Sequence, residues 1–319
     1  MHVSRKFFRR ITFVSKTSSR WIDLVKFTGL CAIFLSEAVA GIEVVDDMGD
    51  VVALKNPAQR VVSLSPHLTE LVFAVDGGSK LVGAMSFSDY PEAAKKIPRV
   101  GSHNTVNYES IIKMQPDLVL AWASGNGLER INKLKSLGFS VYVSEPSKLK
   151  DIASSLRKIS MLLGENAAGD READSFFRRL TKLKKTYTKQ LPVSVFYQLS
   201  DEPMITLNGR HIISDVINLC GGRNVFYEAL PLVLKVSAES LMRSNPQVVI
   251  AGAEKDNQPR WLSHWKQRPP TRAVSNKHIY FIPPDLLTRH TPRIIDGAKM
   301  MCDFLSQARN KNTKQGISP

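Results

Sequence analysis

The sequence lacks the local motifs that mark the common enzyme classes. It contains no G-x-S-x-G turn, no Walker phosphate loop, no G-x-G-x-x-G, no H-E-x-x-H and no C-x-x-C. Six of its seven histidines lie beyond residue 40, and none has the spacing of a metal-binding pair. Ser63, Ser65 and His67 are close together, but Ser65-Pro66 is typical of a helix start with a capping serine. We therefore expect neither an enzyme nor a protein with a catalytic cofactor.

The N-terminal region lacks an apolar run long enough to span a membrane. Residues 27–35 are apolar, follow a basic segment and precede the small-residue site Ala38-Val39-Ala40. This order is typical of a signal peptide, so we predict cleavage after Ala40 and export to the periplasm. An uncleaved membrane anchor is the alternative, because the basic segment is long and Glu37 lies close to the cleavage site.

Cysteine is scarce, at three residues in 319. Cys31 lies in the predicted signal peptide, which leaves Cys220 and Cys302 in the exported chain. An oxidising compartment favours one disulfide between them, and two buried free thiols are the alternative. Two cysteines so far apart do not form the pattern of a metal site.

No run of basic residues interleaved with aromatics is present. Removal of residues 1–40 leaves 37 basic and 27 acidic residues, a net charge of +10. The lysines and arginines are spread along predicted helix faces, which indicates solvated surfaces. We therefore expect no nucleic-acid partner.

A repeat is the clearest internal feature of the chain. Residues 109–121 return as residues 239–251, with five identical positions and conservative exchanges at most of the others. Each copy predicts a short helix, a proline stop and a buried strand. Copies separated by about half of the chain predict two similar α/β lobes, and a cleft between lobes is a common place for a small ligand to bind.

The alternation of strands and helices predicts mostly parallel sheets in both lobes. We assign residues 1–40 to the signal peptide, 41–163 to an N-terminal α/β lobe, 164–191 to a connecting helix, 192–307 to a C-terminal α/β lobe and 308–319 to a polar, disordered tail. Apolar residues keep a helical period from Ile152 to Leu163, up to Gly164, and again from Ala173 to Tyr187, up to Pro192. No Gly- or Ser-rich linker separates the lobes, so we expect a stiff connector and little hinge motion. Asp46-Asp47-Met48-Gly49 predicts a hairpin turn at the start of the first lobe.

Several loops follow predicted strands, at the edge where α/β sheets bind ligands. They offer aromatic rings, a glycine-rich turn and one arginine, which suits a large ligand with apolar and polar parts. The loops are Ser65-Pro66, Ser86-Phe87-Ser88, Gly101-Ser102-His103, Trp122-Ala123-Ser124-Gly125 and residues 284–290.

These segments carry a family resemblance that runs from about residue 42 to residue 307. The chain resembles the class III periplasmic substrate-binding proteins, the solute receptors of bacterial ABC importers, and most of all their cobalamin-binding branch. The phrases that carry the resemblance are residues 60–66, Thr69-Glu70-Leu71, Ser88-Asp89-Tyr90-Pro91, Pro116-Asp117-Leu118-Val119, Ala121-Trp122, Cys220-Gly221-Gly222 and Pro292-Arg293-Ile294-Ile295.

The resemblance implies a fold, a ligand and a partner. The fold is two Rossmann-like lobes joined by a single long rigid helix, in a monomer that holds cobalamin or another metal-centred macrocycle between the lobes. Glu109 and Glu239 match the residues that dock on the permease dimer of the importer, and Cys220 and Cys302 match a disulfide. The implied ligand-binding residues are Ser65, Pro66, Phe87, His103, Trp122, Asp285, Leu286, Leu287, Thr288 and Arg289.

The chain also departs from the cobalamin-binding pattern. Phe87 stands where that branch has a tyrosine, and His103 stands where it has a tryptophan. Other aromatic positions are Ile205, Val233, Leu286 and Leu287 in this chain. We expect cobalamin or a related corrinoid as the ligand. The alternative is haem or a ferric siderophore with His103 or His290 as an axial ligand, and an exported enzyme or an adhesive protein are further alternatives.

Overall fold

The structure, a computed structural model, describes residues 41–187, 190–268 and 270–314. The predicted signal peptide and its cleavage site after Ala40 lie outside the described residues, as do residues 315–319. Among the helices of the described ranges, none combines the length and the apolar character needed to cross a membrane.

A β-hairpin opens the described chain, as the turn signal predicted. Strand β1 (Ile42–Val45) pairs antiparallel with β2 (Val51–Leu54). The Asp46 carboxylate closes the turn, because it accepts hydrogen bonds from the backbone N–H groups of Met48 and Asp50 at 2.9 Å each. Its second oxygen accepts from the N–H of Val143 at 3.2 Å, which ties the hairpin to the first lobe.

The N-terminal lobe is built on a four-stranded parallel sheet. Its strand order is β4-β3-β7-β8, and helices connect the strands. The strands are buried on both faces, which explains their continuous apolar runs. The elements are β3 (Val61–Ser63), α1 (Pro66–Ala74), β4 (Leu81–Ala84), β5 (Gly101–Ser102), β6 (Thr105–Val106), α2 (Tyr108–Met114), β7 (Leu118–Trp122), α3 (Ala123–Asn126), α4 (Leu128–Ser136) and β8 (Val141–Ser144).

Two packed helices follow and lead to the second lobe. The apolar period predicted both helices, α5 (Leu149–Leu163) and α6 (Asn166–Tyr187). Gly164 separates them in the left-handed conformation, with φ at +73°, which glycine adopts without strain. On α5, Arg157 donates to Asp170 of α6 at 3.1 Å and pairs with Asp174 of α6 at 2.5 Å.

The C-terminal lobe repeats the parallel design, with strand order β11-β9-β13-β14. A short antiparallel pair, β10 with β12, stands beside this sheet. The elements are β9 (Val193–Gln198), β10 (Ile205–Leu207), α7 (Ile212–Leu219), β11 (Gly222–Asn224), β12 (Val233–Lys235), α8 (Ala238–Ser244), β13 (Val248–Gly252), α9 (Gln258–Gln267), α10 (Arg272–Ser275), β14 (Ile279–Ile282), α11 (Asp285–Thr288) and α12 (Ile294–Lys314). Two similar α/β lobes with parallel sheets confirm the predicted fold class.

The sequence repeat forms the same unit in both lobes. It comprises α2 with β7 in the first lobe and α8 with β13 in the second. Asn107 and Ser237 cap the two helices by accepting from the N–H three residues on, at 2.9 and 3.1 Å. Gln115 and Asn245 end them in the left-handed conformation. The repeat therefore predicted the helix, the stop and the strand correctly.

One apolar core runs through both lobes and the helices between them. It includes Leu68 of α1, Leu156 of α5, Phe176 of α6 and Ile217 of α7, each fully buried. In addition, the Leu149 N–H at the start of α5 donates to Asp215 of α7 at 2.9 Å. The connecting helices thus pack against both lobes, which restricts relative motion of the lobes.

The predicted disulfide is present, and the predicted disordered tail is partly wrong. Cys220 and Cys302 are bonded and join the end of α7 to the middle of α12. Helix α12 continues to Lys314, so residues 308–314 are helical. Ala308 is fully buried in the core, and Arg309 donates to the carbonyls of Cys220 and Gly221 at 2.7 and 2.8 Å. These contacts hold the helix beyond the point where its sequence becomes polar.

Candidate functional site

A cavity of about 400 Å³ lies between the lobes at the carboxyl ends of their strands. This is the edge where the sequence placed the binding loops. The first lobe contributes Trp122 at the end of β7 and Glu145 just beyond β8. The second lobe contributes an apolar wall that includes Leu207 and Val233, together with the more polar His211. Both lobes therefore contribute apolar and polar side chains to the cavity.

The Ser65-Pro66 turn is a helix start, as the sequence indicated. Ser65 is the N-cap of α1, its Oγ accepts from the Leu68 N–H at 3.4 Å, and Pro66 occupies the first turn. The same Oγ lies 2.9 Å from Nδ1 of His67. Because Ser65 is almost fully buried, it acts here by positioning His67 and the helix. Direct contact of Ser65 or Pro66 with a ligand stays a prediction.

Phe87 projects from the loop after β4 with 73% of its surface exposed. Its backbone has φ at +66°, a left-handed conformation that is uncommon for a bulky residue and is often found at binding sites. The Ser88 N–H donates to the carbonyl of Met85 at 3.3 Å, and Arg289 of the other lobe donates to the carbonyl of Phe87 at 3.2 Å. An exposed ring held in this way is available to an apolar ligand.

Arg289 forms ion pairs with the opposite lobe. Its Nη1 lies 2.8 Å from Oε1 of the buried Glu70 on α1 and 2.7 Å from Oδ1 of Asp89. Burial alone would lower the pKa of the guanidinium, but the hydrogen bonds to Asp89 and Glu70 raise this pKa above its ordinary value. Glu70, Asp89 and the Phe87 carbonyl already bond to this guanidinium, and contact of Arg289 with a ligand stays a prediction.

Arg293 and Asp285 complete this contact between the lobes. Arg293 Nη1 lies 3.1 Å from the same Glu70 oxygen, its Nη2 pairs with Asp285, and its guanidinium stacks 4.0 Å from the Tyr90 ring. We call Glu70, Asp89, Asp285, Arg289 and Arg293 the inter-lobe ion network. It joins helix α1 of one lobe to the α11–α12 segment of the other.

Three histidines and one tryptophan cluster beside the cavity. His67 comes from the first lobe, whereas His211 and His290 come from the second. The ring centroids of His67 and His290 are 5.3 Å apart, and those of His211 and His290 are 5.8 Å apart. Trp122 presents an edge contact to His67 at 5.1 Å and to His290 at 5.7 Å. We call His67, His211 and His290 the cleft histidines.

Burial keeps the cleft histidines neutral. It lowers the pKa of His67 to about 3, with a further contribution from the nearby charge of Arg289. Burial also lowers the pKa of His211 to about 4. For His290, burial lowers the pKa well below its ordinary value, and His67 and His211 lower it further. All three rings are therefore uncharged near neutral pH, the form that can donate a lone pair to a metal or accept a hydrogen bond.

The remaining predicted ligand residues do not all lie at the cavity. His103 is exposed on the β5–β6 hairpin and is not among the residues that line the cavity. Leu287 is fully buried in the core, and Leu286 is half-buried beside it. Thr288 lines the cavity, while its hydroxyl donates to the carbonyl of Pro284 at 2.8 Å. Their ligand contacts stay predictions.

Sequence reasoning missed three groups that the fold brings together. Glu70, His67 and His211 each looked like an ordinary residue near a helix start. Their common signal is position at the carboxyl edge of a parallel sheet, because His67 lies in the first turn of α1, Glu70 lies in its second turn, and His211 caps α7. Only the fold shows that His67 and His211 both lie against His290.

Glu109 and Glu239 occupy equivalent exposed positions. Each is the second residue of its helix, α2 or α8, near a helix N-terminus that favours negative charge. Each helix leads through a tight turn into the start of a strand, so its N-terminus lies toward the cleft edge of its lobe. Glu239 lies 3.5 Å from Arg243 on the same helix, which leaves both side chains largely exposed.

Within the described ranges, one group of three side chains has ligand atoms close enough together to share a metal ion. Asp201, Glu202 and His264 place ligand atoms within 4.8 Å of one another. However, the Asp201 carboxylate already pairs with Arg268 at 2.7 Å, lies 2.5 Å from His264 and accepts from Gln198. Burial would raise the pKa of Asp201, but the bond from Arg268 and then that from His264 lower it. The group is therefore explained as an ion-pair network.

Known proteins share both the sequence and the fold. The sequence model of the periplasmic binding protein family matches residues 61–286. A vitamin B12-binding protein of Vibrio cholerae serotype O1 is 35% identical over 255 residues, which cover 80% of this chain and 92% of that protein. The crystal structure of the periplasmic vitamin B12 binding protein BtuF of Vibrio cholerae matches with a TM-score of 0.74 at 35% identity, covering 79% of this chain and 98% of that one.

A more distant structure shows the same fold. The periplasmic heme-binding protein RhuT from Roseiflexus sp. RS-1 matches with a TM-score of 0.68 at 21% identity, covering 79% of this chain and 99% of that one. At that identity the likeness carries the fold alone. The extent of the family match, together with 35% identity over most of both chains, shows that this chain belongs to the periplasmic binding protein family.

Proposed function

We propose that this protein captures cobalamin or a related corrinoid between its lobes in the periplasm and delivers it to the membrane permease of an ABC importer. The observation that carries the proposal is the 35% identity to a vitamin B12-binding protein along almost the whole of both folded chains. The family consists of solute-binding proteins, and the cleft offers a place for a solute.

The surfaces of the cleft suit a ligand with an apolar ring system and polar edges. Leu207 and Val233 supply apolar contact from one lobe, and Trp122 supplies an aromatic surface from the other. Glu145 and Arg210 lie at the same cavity and can bond to amide groups. A corrinoid is larger than the drug-sized ligands that fill a pocket of about 300–1,000 Å³. We infer that much of it stays at the mouth of the cleft, where Phe87 is exposed.

Delivery requires a surface that the permease recognises. Glu109 and Glu239 supply one exposed negative charge on each lobe, at equivalent points of the repeat. Charges of this kind orient a complex and speed its formation more than they raise its affinity. We infer that the two glutamates bind basic groups on the permease, one lobe to each half of a permease dimer.

Isothermal titration of the purified protein with cyanocobalamin, cobinamide and haemin tests the ligand. We expect both corrinoids to bind with one site per chain, and haemin to bind more weakly than either. Failure of both corrinoids to bind contradicts the proposal. Preferential binding of haemin would move the assignment to haem, which the shared fold permits.

A further inference from the structure

Helices α2 and α8 expose an apolar side chain at the same position of the sequence repeat. Ile112 is 50% exposed and Met242 is 40% exposed, and each is the fifth residue of its helix. Residues 111–115 and 241–245 share one order of burial, with one buried residue, two exposed, one half-buried and one exposed. The exposed apolar position is therefore a property of the repeated unit in both lobes.

The residue before each of these side chains explains why they point outward. Ile111 and Leu241 are buried in the cores of their lobes and fix which face of each helix packs inward. The next residue is turned by about 100° around the helix axis, so Ile112 and Met242 leave that face. Within the described part of the chain, neither belongs to a hydrophobic core cluster. The fold therefore gains little from apolar character at these two positions.

An exposed glutamate adjoins the exposed apolar side chain in both copies. Residues three apart on a helix have their Cβ atoms about 5–6 Å apart on one surface. Glu109 therefore lies beside Ile112, and Glu239 lies beside Met242, at equivalent points of the two lobes. We call these two residue pairs the helix-face patches.

The charges on the two helices favour a protein partner over a lipid surface. The residue after each exposed apolar side chain is exposed and basic, Lys113 on α2 and Arg243 on α8. Each helix therefore exposes one acid and one base, and Arg243 lies 3.5 Å from Glu239. Anionic membranes attract clusters of several lysines and arginines. An apolar residue among balanced charges instead resembles the edge of a protein–protein interface.

The duplication indicates the kind of partner that fits. Two equivalent helix-face patches, one on each lobe, match a partner that presents the same surface twice. A symmetric dimer has this property. The permease of the proposed function is such a dimer, so we take it as the partner.

We propose that Ile112 and Met242 are apolar docking residues that pack against the two halves of the permease, each beside its glutamate. This inference rests on the proposed function, because it takes the same partner, and it adds the contact that supplies affinity. Charged pairs mainly orient a complex and speed its formation. Burial of apolar area stabilises the bound state and slows dissociation.

Binding to membranes tests this inference apart from the identity of the ligand. Right-side-out inner-membrane vesicles are prepared from the cells in which this protein occurs, after deletion of its gene. Sedimentation then measures the dissociation constant of the purified protein for these vesicles and for protein-free vesicles of the same lipids. The variants are Ile112→Ala, Met242→Ala and the two together. The double variant Ile112→Leu with Met242→Leu retains the apolar area.

Leu137→Ala with Leu262→Ala is the matched control. These leucines are 38% and 36% exposed, one in each lobe, at the end of α4 and on α9. Neither helix belongs to the repeated unit. Calorimetry with cyanocobalamin and urea denaturation accompany each variant, so that a loss of docking is separated from a loss of ligand binding or of folding.

We expect the alanine variants to bind the vesicles more weakly. If docking covers about 50–60 Å² of each apolar side chain, each alanine raises the dissociation constant roughly tenfold, and the pair raises it roughly hundredfold. The leucine pair and the matched control should stay within about twofold of the wild type. The affinity for cyanocobalamin should be the same in all of them, since neither Ile112 nor Met242 lines the cavity.

Four results would overturn the inference. They are a wild type that does not bind the vesicles, equal binding to protein-free vesicles, equal vesicle binding by the wild type and the alanine pair, and a dimer of this protein that the alanine pair dissociates. If Glu109→Lys with Glu239→Lys loses vesicle binding and the alanine pair does not, the inference fails and the proposed function stands. If the alanine pair loses vesicle binding but cyanocobalamin does not bind the wild type, the inference stands and the proposed ligand is wrong.

Discussion

The side chain of His67 is buried in its neutral form against His290 and Trp122. A neutral histidine in a protein interior has a consequence for acid stability. The unfolded chain takes up this proton near pH 6.5, whereas folded His67, with its pKa lowered to about 3, does not. The folded state therefore loses stability as the pH falls from about 6.5 towards 3, at about 1.4 kcal/mol per pH unit.

His67→Ala should make the protein less sensitive to acid. Between about pH 7 and about pH 5, we expect the loss of unfolding free energy to be about 2 kcal/mol smaller in the variant than in the wild type. Urea denaturation at both pH values measures this difference. Val72→Ala on the same helix removes a buried group that does not titrate, so it should lower stability equally at both. An unchanged pH slope in His67→Ala would contradict the assignment.

Phe87→Ala should weaken corrinoid binding without affecting the fold. If the ligand covers about 50–60 Å² of the ring, the loss is about 1.4 kcal/mol, or roughly tenfold in the dissociation constant. Phe177→Ala is a matched control, because Phe177 is also partly exposed but lies on α6. Calorimetry with cyanocobalamin compares the two variants. Equal affinities would remove Phe87 from the ligand site.

The elements were largely predictable because their signals are local. The apolar period indicated α5 and α6, and the repeat indicated the α2–β7 and α8–β13 units. The pairing of His67 with His290 was not predictable, since it depends on how two lobes face one another across more than 200 residues. The end of α12 was missed for a similar reason, because the burial of Ala308 arises from contacts with distant parts of the chain.

The disulfide is the element-scale feature with the largest expected effect on stability. It joins α7 to α12 across 82 residues, and both sulfurs are fully buried. Replacing both cysteines by alanine should lower the unfolding free energy by about 2–5 kcal/mol, since the unfolded chain gains the freedom of a long loop. Thermal unfolding with and without a reductant measures this. The double variant should not respond to the reductant, and an unaffected wild type would contradict the prediction.

At the scale of the whole molecule, the repeat places one exposed glutamate on each lobe. The double variant Glu109→Lys with Glu239→Lys should abolish uptake of the corrinoid by cells, because it repels the basic groups that we infer on the permease. Its affinity for the ligand should be unchanged, since neither residue lines the cavity.

A charge-matched control separates docking from net charge. Glu43→Lys with Glu228→Lys also reverses one exposed glutamate per lobe, on strand β1 and in the segment that follows strand β11. This control should retain uptake. A large loss of ligand affinity in the docking variant, or equal uptake by both double variants, would contradict the docking role.

The inter-lobe ion network has a mechanical consequence. Glu70 belongs to one lobe, and both arginines that bind it belong to the other. Removing one partner of a buried ion pair costs about 3–5 kcal/mol, so the lobes do not drift apart readily by thermal motion. Anything that pulls them apart must perform work against these pairs. Release of the proposed ligand by separation of the lobes would therefore need work supplied from outside the protein.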